Sequence, residues 1–201
     1  MCGIIGYVGN RQGAPILMQG LHRLEYRGYD SAGIAVLQEK NASRSIVRLR
    51  AVGKIDNLAE RAKGQDLSGT VGIAHTRWAT HGGVTEANAH PHVSLDGKLV
   101  LLHNGIIENY RELKERLKDV TFTSQTDTEV LAHLIGKHYQ GNLRLAVEAA
   151  LAHVRGTYGI LVMHADEPGV MIAARLGSPI VLGLGEGENF VASDATPILT
   201  H

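Results

Sequence analysis

The order of the apolar segments along the chain is the feature that most constrains its fold. Short runs typical of strands come first, helical stripes fill the middle, and further strand-like runs follow. The strand-like runs cover residues 3–8, 34–37, 46–49, 71–75, 99–103, 157–163, 170–174, 180–184 and 189–192. The helical patterns cover residues 14–24 and 54–63 and three stripes between residues 107 and 154. Because strands and helices do not alternate strictly, the order predicts an α+β domain with mainly antiparallel sheets.

Length and charge exclude several functional classes. The 201 residues suit one domain, and 20 basic residues balance 20 acidic ones. A neutral balance argues against a general binder of nucleic acid or membrane surfaces, which would need a basic excess. No apolar run approaches the roughly 18 residues of a membrane span, and the chain does not start like a signal peptide. We therefore expect a cytoplasmic protein without a membrane or nucleic-acid partner.

Cys2 is the single cysteine, so it cannot form an internal disulfide. If Met1 is removed, as is usual before a small residue, Cys2 gains a free α-amino group that can take the thiol proton. The resulting thiolate would be a competent nucleophile. Position 2 alone is weak evidence, because a cysteine there is more often incidental than catalytic.

The segment 76–83 follows a predicted strand and ends in two glycines. Arg77 suits bidentate binding of a carboxylate, and Thr80 and His81 offer further hydrogen bonds to a small polar ligand. A surface loop whose Trp78 covers the core explains the same residues equally well.

Two further motifs each have two interpretations. Asn104–Gly105 favours a turn, but its amide groups would also suit an oxyanion hole. Thr126 and Glu129 fit a capping box, and Asp127 in the first turn suits the helix dipole. The Asp127 carboxylate could also bind a substrate ammonium group.

Histidines are crowded into one third of the chain, at positions 75, 81, 90, 92 and 103. A metal site is therefore an alternative hypothesis. None of the common metal-binding spacings is present, and His90-Pro-His92 would place two rings on one side of an extended segment.

Six motifs in order carry a family resemblance. They are MCGIIG at 1–6, LEYRGYDSAG at 24–33, HTRWATHG at 75–82, NAHPH at 88–92, HNGIIEN at 103–109 and TDTE at 126–129. Together they resemble the glutaminase domains of the glucosamine-6-phosphate synthases, which are class II, N-terminal-nucleophile glutamine amidotransferases. The resemblance covers essentially the whole chain.

The resemblance implies a four-layer αββα sandwich of two mainly antiparallel sheets and L-glutamine as substrate. It implies no metal and no organic cofactor. The implied roles are Cys2 as nucleophile, Asn104 and Gly105 as oxyanion hole, Arg77 for the α-carboxylate, Asp127 for the α-ammonium, Thr80 and His81 in a closing loop, and Trp78 in that loop as the gate of an ammonia passage.

The resemblance also implies a larger enzyme. We expect the ammonia to reach a sugar-phosphate isomerase domain that converts fructose 6-phosphate into glucosamine 6-phosphate, in a homo-oligomeric full-length protein. Residues 1–201 would form the glutaminase domain, truncated near its C-terminal end and lacking the isomerase domain. The alternatives are an amidotransferase of the same class with another acceptor and a histidine-rich metal-binding module without turnover.

Overall fold

The computed structural model of the chain describes residues 2–41, 43–79, 82–199 and 201. Strands and helices follow in the predicted order. The strands are β1 (Gly3–Val8), β2 (Ser31–Lys40), β3 (Ser43–Val52), β4 (Val71–Arg77), β5 (His92–Val93), β6 (Leu99–Ile107), β7 (Gly156–His164), β8 (Met171–Leu176), β9 (Val181–Leu184) and β10 (Asn189–Ala192). The helices are α1 (Gly13–Leu24), α2 (Ile55–Ala62), α3 (Tyr110–Glu115), α4 (Asp127–His138) and α5 (Leu143–Leu151), and a 3₁₀ turn spans Glu25–Arg27.

The strands form two sheets in which all neighbouring strands are antiparallel. The first sheet has the order β3-β2-β4-β1-β10-β9, and the second has the order β5-β6-β7-β8. In the first sheet β1 lies between β4 and β10, so the start of the chain is in the interior of that sheet. The antiparallel α+β prediction is confirmed.

Three apolar clusters separate four layers. One cluster joins α1 and α2 to the first sheet, one lies between the two sheets, and one joins the second sheet to α3, α4 and α5. Strand alternation explains this division. Ile5 and Tyr7 of β1 belong to the helix-facing cluster, whereas Ile4 belongs to the cluster between the sheets. The αββα sandwich that the resemblance implies is therefore present.

Most segment predictions are confirmed, and two need correction. The stripe that begins at Ile107 was expected to be helical throughout, but Ile107 ends β6 and α3 begins at Tyr110. The expected turn at Asn104–Gly105 is also wrong, because β6 continues through both residues. Its pairing with β7 runs on past Gly105 and Tyr158 to Ile107.

None of the helices formed by the described residues is long and apolar enough to cross a membrane.

Candidate active site

The candidate site lies at one end of the apolar layer between the sheets, where polar side chains replace apolar ones. On β4, His75 follows Ile73 on the same face, and on β6, Asn104 follows Leu102. Antiparallel pairing of β1 with β4 puts the start of β1 beside the end of β4. Cys2, just before β1, therefore lies next to the residues that follow β4.

The Cys2 thiol is held by the backbone of Trp78. The Trp78 N–H donates to Cys2 Sγ at 3.2 Å, and Sγ lies 3.5 Å from the Trp78 carbonyl oxygen. Burial raises the pKa of the Cys2 thiol, while the Trp78 N–H and the positive charge of Arg77 act in the opposite direction. Because the net shift is upward, the thiol needs a base before it can act as a nucleophile.

The side-chain amide of Asn104 contacts Cys2 directly. Its Nδ2 donates to the Cys2 carbonyl oxygen at 3.0 Å, and its Oδ1 lies 2.9 Å from Nε2 of His75. The Asn104 carbonyl accepts a hydrogen bond from the Ser178 hydroxyl at 3.0 Å. Side chain and main chain are thus both fixed beside the thiol, as an oxyanion-hole donor requires.

Gly105 occupies a position that admits only glycine. Its φ is 136°, and a Cβ atom there would lie 2.1 Å from the Thr157 carbonyl oxygen. Gly105 is exposed and shares a small pocket with Cys2. A substrate bound at the thiol would therefore reach the Gly105 backbone.

Arg77 and Asp127 bring opposite charges to the same pocket. Both side chains are buried, and both line the pocket with Cys2. Burial lowers the pKa of Arg77, which the negative charges of Cys2, Asp30 and Asp127 oppose. Asp127 Oδ2 accepts the Ile107 N–H at 2.8 Å, a bond that links α4 to β6. A zwitterionic ligand would match this pair of charges.

The segment after Arg77 is anchored by hydrogen bonds at Ala79 and at Gly83. The Ala79 N–H donates to Asp30 Oδ2 at 2.7 Å, and Gln125 Oε1 accepts the Gly83 N–H at 3.3 Å. The Trp78 side chain is 46% exposed and packs edge-on against Tyr29. The predicted site residues Thr80 and His81 lie outside the described residues.

The capping-box prediction is half correct. Thr126 Oγ1 accepts the Glu129 N–H at 3.3 Å, as predicted. The Glu129 carboxylate, however, accepts the backbone N–H and hydroxyl groups of Thr123 and Ser124 instead of the Thr126 N–H. Burial raises the pKa of Glu129, but His133 and the donors of Thr123 and Ser124 lower it further than burial raises it. The bonds to Thr123 and Ser124 also fix the segment that leads into Asp127.

The match to a family model agrees with this geometry. Residues 54–201 match the model of the glutamine amidotransferase domain. The chain belongs to the glutamine amidotransferase domain family.

Curated relatives and solved structures support the assignment. The chain is 52% identical to glutamine–fructose-6-phosphate aminotransferase (isomerizing) of Chlorobaculum tepidum, with 100% of the chain and 33% of that protein covered. It is 53% identical to the protein of the same name from Escherichia coli K12, with 99% and 32% covered. A glutamine phosphoribosylpyrophosphate amidotransferase structure from B. subtilis, complexed with ADP and GMP, is 28% identical, with a TM-score of 0.81 over 98% of this chain and 43% of that one. The chain thus spans about a third of the length of the curated relatives it matches.

Four of the crowded histidines, at positions 75, 90, 92 and 103, lie within hydrogen-bond distance of polar groups of the domain. In the described ranges, no group of three or more His, Cys, Asp or Glu side chains could hold a metal ion. His90 Nε2 and His103 Nδ1 lie 2.8 and 3.1 Å from the Thr128 hydroxyl, and His92 Nε2 lies 3.0 Å from that of Thr126. The rings of His90 and His92 are 4.9 Å apart, so they share one side of their segment, as predicted.

Sequence reasoning missed the residues that support the site. Asp30 holds Ala79, and Gln125 with Asn88 holds Gly83. His75 contacts Asn104. The motif segments 24–33, 75–82 and 88–92 contain three of these four residues, so their positions were marked, but no spacing rule indicates their contacts.

Buried histidines make the stability of the domain dependent on pH. Burial lowers the pKa of His75 to about 3 and holds those of His90 and His92 well below the ordinary value. An unfolded chain binds these protons near pH 6.5 and the folded chain does not, so acidification favours unfolding. The free energy of unfolding should fall below pH 6.5 by about 1.4 kcal/mol per pH unit for each histidine.

Urea unfolding at pH 7.5, 6.5 and 5.5 measures this slope. His92→Gln removes one of these groups and should reduce the slope by up to about 1.4 kcal/mol per pH unit, following the same proton linkage. The exposed His22 of α1 provides the matched control, and His22→Gln should leave the slope unchanged. A midpoint that does not move between pH 7.5 and 5.5 would contradict the neutral, buried state of these rings.

Proposed function

We propose that this chain hydrolyses glutamine to glutamate and ammonia through a thioester on Cys2. The observation that carries the proposal is the contact of Asn104 with Cys2, which also lines a pocket with the buried residues Arg77 and Asp127. A nucleophile, an oxyanion donor and two opposite charges lie together there, as acyl transfer from an α-amino acid requires. Membership of the glutamine amidotransferase domain family supports the same reaction.

The two charges match the two ends of the amino-acid head group. In this proposal, Arg77 binds the α-carboxylate and Asp127 binds the α-ammonium. Trp78, Thr80 and His81 belong to the loop that covers the bound glutamine. The side-chain amide of glutamine then extends toward Cys2 and Asn104.

The chemistry begins once Met1 has been removed and the α-amine of Cys2 is free. The amine takes the thiol proton, and the thiolate forms a bond to the amide carbon of the glutamine side chain. Asn104 Nδ2–H and the Gly105 N–H stabilise the negative oxygen of the tetrahedral intermediate. The carbon–nitrogen bond breaks, and the leaving nitrogen takes the proton from the Cys2 ammonium and departs as ammonia. Water then attacks the thioester, the amine again accepts a proton, and glutamate is released.

The raised pKa of the thiol supports this use of the α-amine. A buried thiol does not ionise by itself at neutral pH. The α-amine has an ordinary pKa of about 7.7–8.0, so a useful fraction is neutral and basic at cellular pH. It is also covalently attached to the nucleophile, which fixes its position.

The proposal extends to the full-length protein. The names of the 52–53% identical relatives support fructose 6-phosphate as acceptor, with glucosamine 6-phosphate formed by a further isomerase domain. A second cavity reaches Cys2 and is lined by Trp78, Arg27 and Ser178, which supports a departure route for ammonia there. By the same resemblance, we place the enzyme in the cytoplasm as a homo-oligomer.

Acceptor choice is testable with the full-length protein. Glutamine with fructose 6-phosphate should yield an amino sugar phosphate, and glutamine with phosphoribosylpyrophosphate should yield no phosphoribosylamine. Mass spectrometry of the products with ¹⁵N-amide-labelled glutamine detects either compound. Label in phosphoribosylamine would overturn the acceptor while leaving glutamine hydrolysis intact.

Replacement of the nucleophile tests the hydrolysis itself. Cys2→Ala should abolish glutamate release, because no thioester forms, while glutamine binding remains since Arg77 and Asp127 are unchanged. Enzymatic measurement of glutamate and calorimetric measurement of binding separate the two effects.

The state of the N-terminus provides the matched comparison. Protein that retains Met1, identified by its mass, should bind glutamine and turn it over poorly, because the nitrogen of Cys2 is then in a peptide bond.

Alkylation by iodoacetamide tests whether glutamine binds at the thiol. Cys2 is the single cysteine, so alkylation modifies it alone, and the rate should fall when glutamine is present. Rapid turnover by Cys2→Ala would refute the mechanism.

Asp127→Asn tests the ammonium contact. The asparagine keeps an oxygen for the Ile107 N–H and loses the negative charge. The Kd for glutamine should rise about 10–100-fold, the range expected for a hydrogen bond to a charged group. The Kd for 4-carbamoylbutanoate, which lacks the α-amino group, should change little. Equal losses for both ligands would assign Asp127 to the helix alone.

A further inference from the structure

We propose that His75 is a positioning residue that orients the Asn104 amide as an oxyanion donor. This inference rests on the proposed glutaminase function. His75 is not among the residues that line the pocket with Cys2, Arg77 and Asp127. It acts through a single contact, the 2.9 Å approach of its Nε2 to Asn104 Oδ1.

The orientation of the Asn104 amide follows from its two partners. Cys2 contributes a carbonyl oxygen, which accepts only, so the amide atom 3.0 Å from it must be the nitrogen. A flipped amide would place two acceptor oxygens against each other. Asn104 Oδ1 therefore faces His75, and His75 must donate through its Nε2–H.

The tautomer of His75 follows from the same reasoning. A proton on Nδ1 would leave Nε2 and Oδ1 as two facing acceptors. The backbone of His103 lies near the ring and raises its pKa, but it forms no hydrogen bond with Nδ1. A proton on Nδ1 would therefore be a buried donor without a partner among the described residues. Burial lowers the pKa of His75 to about 3, so the ring is neutral at physiological pH. The ring is thus a neutral Nε2–H donor.

The surroundings hold this ring still. His75 is fully buried in β4, where it pairs with Ile4 on one side and Gly33 on the other. Its ring lies 4.3 Å from that of His90, which in turn approaches the Thr128 hydroxyl at 2.8 Å. A donor on a central strand, packed against a second ring, defines the position of its acceptor closely.

The consequence for the reaction concerns the second hydrogen of Asn104 Nδ2. An amide nitrogen carries two hydrogens in the plane of the group. With Oδ1 held by His75 and one hydrogen held by the Cys2 carbonyl, the direction of the other hydrogen is fixed. That hydrogen is the one available to the oxyanion. Without His75 the amide could rotate, and the donor would be misaligned in the transition state.

Paired substitutions separate the donor from the bulk of the ring. His75→Leu fills the space without a donor and should lower kcat about 10–100-fold, the cost of a misplaced catalytic group. KM should stay within about threefold, because the head-group contacts are unchanged. His75→Gln places an amide nitrogen near the former Nε2 and should recover most of the loss. His164→Leu, at a buried histidine of β7 remote from the pocket, controls for a general effect of removing such a ring.

A double-mutant cycle tests whether His75 acts through Asn104. Asn104→Ala alone should slow turnover about 10²–10³-fold, as expected for one oxyanion donor. His75→Leu added to Asn104→Ala should slow it no further. Multiplicative losses, or equal losses in His75→Leu and His75→Gln, would overturn the positioning role. If His75→Leu fails to fold, the protonation and tautomer of the His75 ring in the folded protein decide instead.

A measurement independent of turnover distinguishes this inference from the proposed function. In ¹⁵N-labelled Cys2→Ala protein at pH 7, the His75 ring should be neutral with its proton on Nε2. A charged ring or an Nδ1 proton would overturn the inference even if glutamine is hydrolysed. Wild-type protein that hydrolyses no glutamine after Met1 removal would instead overturn the proposed function.

Discussion

The apolar layer between the two sheets is the constraint on which the rest of the structure depends. Its strands place alternate side chains inward, and near one end of the layer the inward positions of β4 and β6 become polar at His75 and Asn104. Polar groups buried there must find partners, because an unpaired one is costly. The site groups consequently bond to one another. The same packing that stabilises the fold thereby aligns Cys2 with Asn104, its proposed oxyanion donor.

Charge is distributed unevenly across this site. Burial keeps His75 and His90 neutral, and the opposite formal charges of the pocket that Cys2 lines come from Arg77 and Asp127. These two match the charged end of an amino acid, whereas the neutral donors face its amide. A cationic His75 ring would form a stronger hydrogen bond with Asn104 Oδ1, but its charge would also repel Arg77. Keeping His75 neutral separates recognition of the head group from the acyl transfer.

The sequence predicts most strands and helices correctly, because apolar runs mark the segments that are buried in the fold. Strands 3–8 and 189–192 are predicted to the residue, and the ordered motifs mark Cys2, Asn104 and Asp127. It fails where a local signal competes with distant pairing, as at Asn104–Gly105, where β7 keeps the strand extended. The role of His75 depends on a contact with a residue 29 positions away. The crowding of histidines in the sequence raised metal binding as an alternative for that histidine, and only the fold shows its contact with Asn104.

The bond between Asn104 and Cys2 joins an amide to a main-chain carbonyl, not to the sulfur. Every amino acid has that carbonyl. The proposed oxyanion donor is therefore aligned by a part of residue 2 that does not depend on the side chain of that residue. The position of the Asn104 amide is thus set by the main chain, whereas the reactivity of the attacking atom is set by the side chain of residue 2. A hydroxyl nucleophile at this position would meet the same prealigned amide, and its reactivity would differ only through the side chain itself.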